Sequence, residues 1–190
     1  MIGIEILLFE WIVVFLINLI PAFMPPTWVT LSFFYISNPQ DIFVLIFIGV
    51  TASTAGRYCL AKGSGKFFGR FGTKKKKKQM KLLEKRLHGK PMQKFIFTLL
   101  FSLSPLPSNA LFIAVGVTKT RLREVLVGFF VGRTISYLFL VFTTERVFSS
   151  LEITLEGTAS LWTLMIEIIG VIAIIAFFVF DWEKLLGGKK

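Results

Sequence analysis

The chain has 190 residues, of which 54% are hydrophobic, and Phe alone contributes 22; its mean hydropathy is +0.72, yet its formal net charge is +11. Those values are compatible only if apolar and charged residues occupy separate segments, which excludes an ordinary water-soluble enzyme and points to a one-domain integral membrane protein. A single cysteine, Cys59, excludes a disulfide framework, and a single histidine, His88, excludes a His-rich metal site.

The first twenty residues, MIGIEILLFEWIVVFLINLI, are apolar but carry Glu5 and Glu10, with no basic n-region and no small-residue cleavage site. They read as mature structure rather than a signal peptide. The stretch runs into Pro21, Pro25 and Pro26, and residues 27–37 are apolar-rich before SNPQD. Residues 42–61 then form an apolar run with one charge, Arg57, long enough to cross a bilayer core of about 30 Å.

Residues 62–94 carry 13 Lys/Arg and include an amphipathic stretch with Met80, Leu82, Leu83 and Leu87. Such charge sets topology, and each lysine beside a membrane attracts anionic lipid by ~1 kcal/mol. No base-reading residues accompany it, so no nucleic acid partner is expected. The GSGK string at 63–66 is not a P-loop, because Phe67 follows the lysine and no glycine stands five residues before Gly65.

Residues 95–104 (FIFTLLFSLS) run into Pro105 and Pro107, with a short apolar run at 110–117 before TKTRLRE. Residues 125–142 form a second spanning candidate with one charge, Arg133. A third, 161–180, contains Glu167 and lies between Trp162 and Trp182, which suit the two membrane interfaces.

The proline-interrupted stretches need a different path. Proline removes a backbone donor and clashes with the preceding turn, and ten helical residues cover only ~15 Å. Each such stretch is therefore predicted to enter the membrane, break at its prolines and return on the same side. Protein or a polar cavity must then cover the broken backbone.

Charge supports this. With two re-entrant hairpins, nineteen of the 22 basic residues fall on one side, while the other holds Arg146 with Asp41, Glu145, Glu152 and Glu156. The positive-inside rule makes the basic side cytoplasmic, including the C-terminus, for a multi-pass protein of the plasma membrane.

The predicted fold is thus an all-α polytopic membrane protein. It comprises an inverted repeat of re-entrant hairpin plus transmembrane helix, with one extra C-terminal transmembrane helix. Residues 1–61 form the first repeat, 62–94 the basic loop, 95–142 the second repeat, and 143–190 an external loop and the last helix. Gly56-Arg57 and Gly132-Arg133 echo each other across the repeats. Inverted repeats are common in transporters, whose sites lie near the midplane where broken helices meet.

The segment FSLSPLPSNALFIAVGVTKTRLREVLVGFFVGRTISY, with IPAFMPPTWVTL and GVTASTAGRYCLAKGSG before it, resembles the DedA/VTT superfamily over residues 10–142. That resemblance implies lipid translocation, either of polyprenyl phosphate with proton coupling or of phospholipid by scrambling. Relatives with proton-linked activity carry an acidic residue after the first hairpin's prolines, where this chain has Thr27. They carry two arginines flanking the second hairpin's proline, where it has Ser102 and Ser108. These departures favour passive scrambling or a different substrate.

Among individual residues, Arg133 sits mid-span, where a lone charge costs ~2.5–3.5 kcal/mol, and it shares a face with Ser136 and Tyr137. It is the leading candidate to bind an anionic headgroup, against a packing ion pair with Glu10 or Glu167. Arg57 is read as a secondary candidate, with Ser53 and Thr54 on its face, and otherwise as snorkelling to the cytoplasmic headgroups. Glu10 is an intramembrane carboxylate suited to proton exchange, or else one that merely touches water. Ser102, Ser108 and Asn109 are placed to hydrogen-bond a phosphate; Ser108 and Asn109 serve equally as helix caps. Glu167 suits pairing or a homo-oligomer contact.

No nucleophile–base pair and no metal-ligand spacing occur, so no enzyme, metal or cofactor is expected. The function expected is a translocase or scramblase that moves a membrane lipid with an anionic headgroup along a polar path between opposed hairpins. The alternatives are a proton-coupled small-molecule or ion exporter, with Glu10 carrying the proton, and a non-transporting envelope scaffold.

Overall fold

The computed structural model describes residues 3–21, 25–38, 40–67, 90–104, 108–118 and 120–155, together with Met165, Ile169, Ile172, Ile175 and Ala176. Among the described residues the elements are all helical, and six continuous helices follow in chain order. They are α1 (Ile4–Leu19), α2 (Thr27–Ser37), α3 (Ile42–Phe67), α4 (Pro91–Leu103), α5 (Asn109–Val117) and α6 (Leu122–Leu155). Two runs within α3 and α6, Ile42–Ser64 and Leu122–Val147, are long and apolar enough to cross a membrane.

Local chemistry sets the helix ends. α1 stops before Pro21, with Ile20 extended at φ −79° and ψ 126°, as a residue preceding proline tends to be. α2 starts directly behind Pro26 and ends at Ser37, two residues before Pro39. The Asp41 carboxylate accepts from the backbone N–H of Phe43 (2.8 Å) and Val44 (3.2 Å), capping α3. α4 carries Pro91 at its first turn, where the missing N–H costs nothing. Its Gln93 side chain accepts from the Lys90 N–H at 3.1 Å. α4 ends at Leu103, with Ser104 extended before Pro105.

The four helices flanking the proline turns are short. At 1.5 Å per residue, the 16 residues of α1 reach about 24 Å, the 11 of α2 about 17 Å, the 13 of α4 about 20 Å and the 9 of α5 about 14 Å. Each falls below the about 30 Å of a bilayer core.

Packing between the halves of the chain is reciprocal. α1 lies against α3 and α4 against α6, while α2 lies against α6 and α5 against α3, and α3 touches α6 directly. Each long helix therefore holds the first arm of its own proline turn and the second arm of the other.

Two buried apolar clusters follow from this. One joins Val14 of α1, Leu31 and Phe34 of α2, Leu45, Ile46, Val50 and Ala52 of α3, and Tyr137 and Val141 of α6. The other joins Leu60 and Ala61 of α3, Phe101 of α4, residues 111–115 of α5, and Val125 and Phe129 of α6. The first half of α3 thus meets the second half of the α6 span, and the converse holds, so α3 and α6 run in opposite directions.

Two glycines permit close crossings. A Cβ on Gly56 would stand 2.7 Å from the Phe15 carbonyl oxygen and 2.9 Å from the Asn18 Cβ of α1. One on Gly132 would stand 2.8 Å from the Leu99 carbonyl oxygen and 2.7 Å from the Ser102 Cβ of α4. Both glycines let backbones approach as small residues do between membrane helices. The Gly-Arg echo in the sequence thus corresponds to the same kind of packing in both halves.

Two extents differ from the sequence reading. α3 continues through Gly63 and Gly65 to Phe67, and α6 continues past residue 142 to Leu155. Residues 143–155, expected as loop, contain neither proline nor glycine, and the hydroxyls of Thr143 and Thr144 donate at 2.7 Å to the carbonyls four residues back. Nothing in that segment stops the helix. The amphipathic stretch of the basic loop and the turn prolines Pro105 and Pro107 lie outside the described residues. So do Glu167, Trp162 and Trp182; of the last predicted span, Met165, Ile169, Ile172, Ile175 and Ala176 are helical and exposed.

Candidate functional site

Between the two apolar clusters both long helices turn polar. α3 places Ser53 and Arg57 between Ala52 and Leu60, and α6 places Arg133 and Ser136 between Phe129 and Tyr137. The turn-facing ends of the short helices add Asn18, Thr27, Ser102 and Ser108, all buried. A polar layer thus crosses the molecule halfway along its long helices, closed off by apolar packing on either side.

Arg57 is the hub of this layer. Its Nη1 donates to the Asn18 backbone carbonyl at 3.1 Å and to the Asn109 side-chain oxygen, so one guanidinium touches the C-terminal end of α1 and the start of α5. Only 7% of Arg57 is exposed, and its Nε is buried with no partner. Snorkelling is therefore corrected: α3 continues ten residues past Arg57, and the side chain points into the protein rather than out to headgroups.

Asn18, which the sequence reading passes over, closes the first proline turn. Its Nδ2 donates to the Thr27 hydroxyl at 3.0 Å and to the Val14 carbonyl at 2.8 Å. The signal was available: Asn18 is the one uncharged polar residue among the apolar residues of α1. Thr27, the residue standing where an acid was expected from the resemblance, serves as its partner across the turn. Pro21, Pro25 and Pro26 are exposed.

Arg133 is half-buried, with its guanidinium carbon 5.5 Å from the Phe129 ring centroid and 5.6 Å from that of Tyr137, within cation–π range. Its Nε is buried without a partner. Ser136 and Tyr137 share its face and are buried, so the polar stripe points inward as expected. Arg133 and Tyr137 are both near enough to Arg57 to interact with it electrostatically. Among the described residues no carboxylate pairs with either arginine, and the sequence-based pairing of Arg133 with Glu10 is not formed.

The second proline turn contributes hydroxyls. Ser102 is wholly buried with its Oγ unpartnered, as is Thr98 one helical turn earlier. Ser108 occupies the N-cap of α5 without a side-chain cap bond, and the Asn109 side chain reaches Arg57. Simple capping therefore does not account for these two residues.

Glu10 stands apart. It lies eight residues before Asn18, about 12 Å along α1, is 0% exposed, and accepts from the Gln40 Nε2 at 2.8 Å. Its hydrogen-bond partner lies in the connection between α2 and α3, away from the arginines.

The described residues contain no group of His, Cys, Asp and Glu able to hold a metal ion. What the layer offers is anion chemistry: two cationic side chains without carboxylates, beside hydroxyls and an amide. No curated protein and no solved structure matches the chain. The VTT domain matches residues 24–146, from the first proline turn to the last third of α6. With well over half its length matched, and with two helices able to cross a membrane, the chain belongs to the DedA/VTT family of membrane proteins.

Proposed function

We propose that the protein is a lipid translocase, most simply a passive scramblase, that lets an anionic headgroup slide through the mid-depth polar layer while its acyl chains stay in the bilayer. The observation that carries this reading is the absence of a carboxylate partner for Arg57 and Arg133 among the described residues, in a layer otherwise built of hydroxyls and amides. A phosphate there would receive charge-assisted hydrogen bonds and offset the cost of one buried and one half-buried cation. Arg133 and Arg57 neutralise it; Ser102, Ser108 and Asn109 hydrogen-bond it, and Tyr137 lines the way.

The reading includes two re-entrant hairpins, α1–α2 and α4–α5, related as an inverted repeat. Three findings support it: short arms, reciprocal packing, and the matching crossings at Gly56 and Gly132. Opposed hairpins bring their turns together near the midplane, which suits a path open to both leaflets. Lys/Arg bias supports a plasma-membrane orientation with the basic loop inside. A chemical step is not part of this proposal. Proton-coupled export through Glu10 is less well supported, since Glu10 lies away from the arginines.

A dithionite quench of fluorescent phospholipid in proteoliposomes tests the proposal. Quenching well beyond the outer-leaflet half, slowed in Arg133→Ala, is the expected result. Quenching that stops at that half would sink phospholipid scrambling.

A further inference from the structure

The contact between Glu10 and Gln40 carries an anomaly that the lipid path does not use. The Gln40 Nε2 donates to Glu10 Oε1 at 2.8 Å, yet Glu10 Oε2 and Gln40 Oε1 are both buried without a hydrogen-bond partner. Both orphans are oxygens, and they belong to the two groups already joined by one hydrogen bond. With Glu10 ionised, neither could satisfy the other, and a carboxylate with no exposed surface would keep one oxygen unpaired, which is unfavourable.

One proton removes both deficits. A carboxylic acid and a primary carboxamide can close a ring of two hydrogen bonds, amide N–H to acid oxygen and acid O–H to amide oxygen. We infer that Glu10 and Gln40 form a proton-binding site, in which Glu10 is held as the neutral acid and its proton lies between Glu10 Oε2 and Gln40 Oε1.

The charges nearby are committed elsewhere: α6, which packs on α2 and α3, brings Glu145 and Arg146 to this end, and they pair with each other at 3.6 Å. α2 brings one titratable group, Tyr35. On the α3 side Asp41 is exposed and committed to the N–H groups of Phe43 and Val44. Arg57, Tyr58, Cys59, Lys62 and Lys66 lie towards the other end of α3, and Glu5 lies five residues earlier on α1 and is exposed. Among the described residues no cation pairs with Glu10.

The site has a mechanical consequence. It fastens α1 to the connection leading into α3, and about 12 Å further along α1 the Asn18 carbonyl holds Arg57. Loss of the proton removes the O–H bond and sets the charged Oε2 against the Gln40 carbonyl oxygen, so the fastening falls from two bonds to the single Gln40 N–H bond and loosens; the site is a proton-sensitive tie on the first proline hairpin. This goes beyond the lipid reading and does not rest on it.

Infrared spectroscopy of the full chain in lipid nanodiscs tests the site, because the carbonyl stretch of a protonated carboxylic acid stands apart from the carboxylate bands. At neutral pH the wild type is expected to show such a band, absent from Glu10→Gln and shifted in Gln40→Leu. Glu10→Gln keeps the ring, with an amide N–H in place of the acid O–H, so its fold is expected to hold. No band in the wild type, or one that persists in Glu10→Gln, overturns the assignment.

Spin labels at Ile4→Cys and Phe43→Cys, both exposed positions, in a Cys59→Ser background read the tie. Their separation should broaden at alkaline pH in the wild type and stay fixed in Glu10→Gln. No difference between the two proteins overturns the tie. Neither readout requires lipid to move, so failure here and failure of the scramblase reading are distinguishable.

Discussion

Arg57 of α3 and Asn109 of α5, 52 positions apart, meet through a guanidinium-to-amide hydrogen bond while the same Nη1 holds the end of α1. One side chain thus ties both proline turns to one long helix. Arg133 has no comparable bond and rests on aromatic faces.

The two arginines should therefore separate in mutagenesis. Arg57→Ala leaves buried acceptors at Asn18 and Asn109 without their donor, which costs about 1–3 kcal/mol, so melting in detergent should fall. Arg133→Ala removes a mid-span charge that costs ~2.5–3.5 kcal/mol to insert, and the melting temperature should hold or rise. Both variants should slow lipid movement. An Arg133→Ala protein that melts early but scrambles normally would reduce Arg133 to a packing residue.

Glycine substitutions test the close crossings. Alanine at Gly56 or Gly132 meets a carbonyl oxygen and a Cβ of the neighbouring helix at under 3 Å, and overpacking of this kind costs about 1–3 kcal/mol. Gly116→Ala, which meets the Ala61 carbonyl oxygen and Ser64 Oγ, should be the most damaging; Gly3→Ala and Gly63→Ala meet nothing and should be neutral. A melting series that departs from this order would contradict the packing of α1, α4 and α5 on the long helices.

Much of this arrangement is legible in the sequence because it rests on composition and punctuation. Proline clusters mark where α1 and α4 end, the apolar runs mark α3 and α6, and Arg133 stands out as a lone mid-span charge. What escapes are contacts between distant residues. Arg57 reads as lying near a helix end because the apolar run closes at residue 61 beside Lys62, yet α3 runs on to Phe67 and leaves Arg57 inside. The Glu10–Gln40 contact joins residues 30 apart across a proline turn, and no periodicity encodes such a pairing. Asn18 carries no charge, so hydropathy alone does not single it out.

Asn18→Asp probes the electrostatics of the path. The substitution keeps side-chain volume and places a carboxylate beside Arg57, whose Nη1 already contacts residue 18. The new pair would neutralise the guanidinium and compete with a passing phosphate. Lipid movement should drop, while the melting temperature should fall modestly, because the new pair with Arg57 only partly offsets the lost Nδ2 bonds to Thr27 and Val14. Unchanged scrambling would take Arg57 off the path.

Orientation can be tested with impermeant maleimide on intact cells, in a Cys59→Ser background. The basic loop, with 13 Lys/Arg at residues 62–94, should lie inside under the positive-inside rule. A cysteine replacing Lys76 should therefore react only after the membrane is permeabilised. Thr144 lies at the opposite end of the α6 span from the end of α3 that leads into the basic loop, and Thr144→Cys should react in intact cells. If each proline stretch instead crossed fully, the loop and the segment at Lys119–Arg123 would face opposite sides. Arg121→Cys, on an exposed residue, decides the matter: the hairpin topology requires it to behave like Lys76→Cys, and labelling in intact cells would mean that the α4–α5 stretch crosses the membrane.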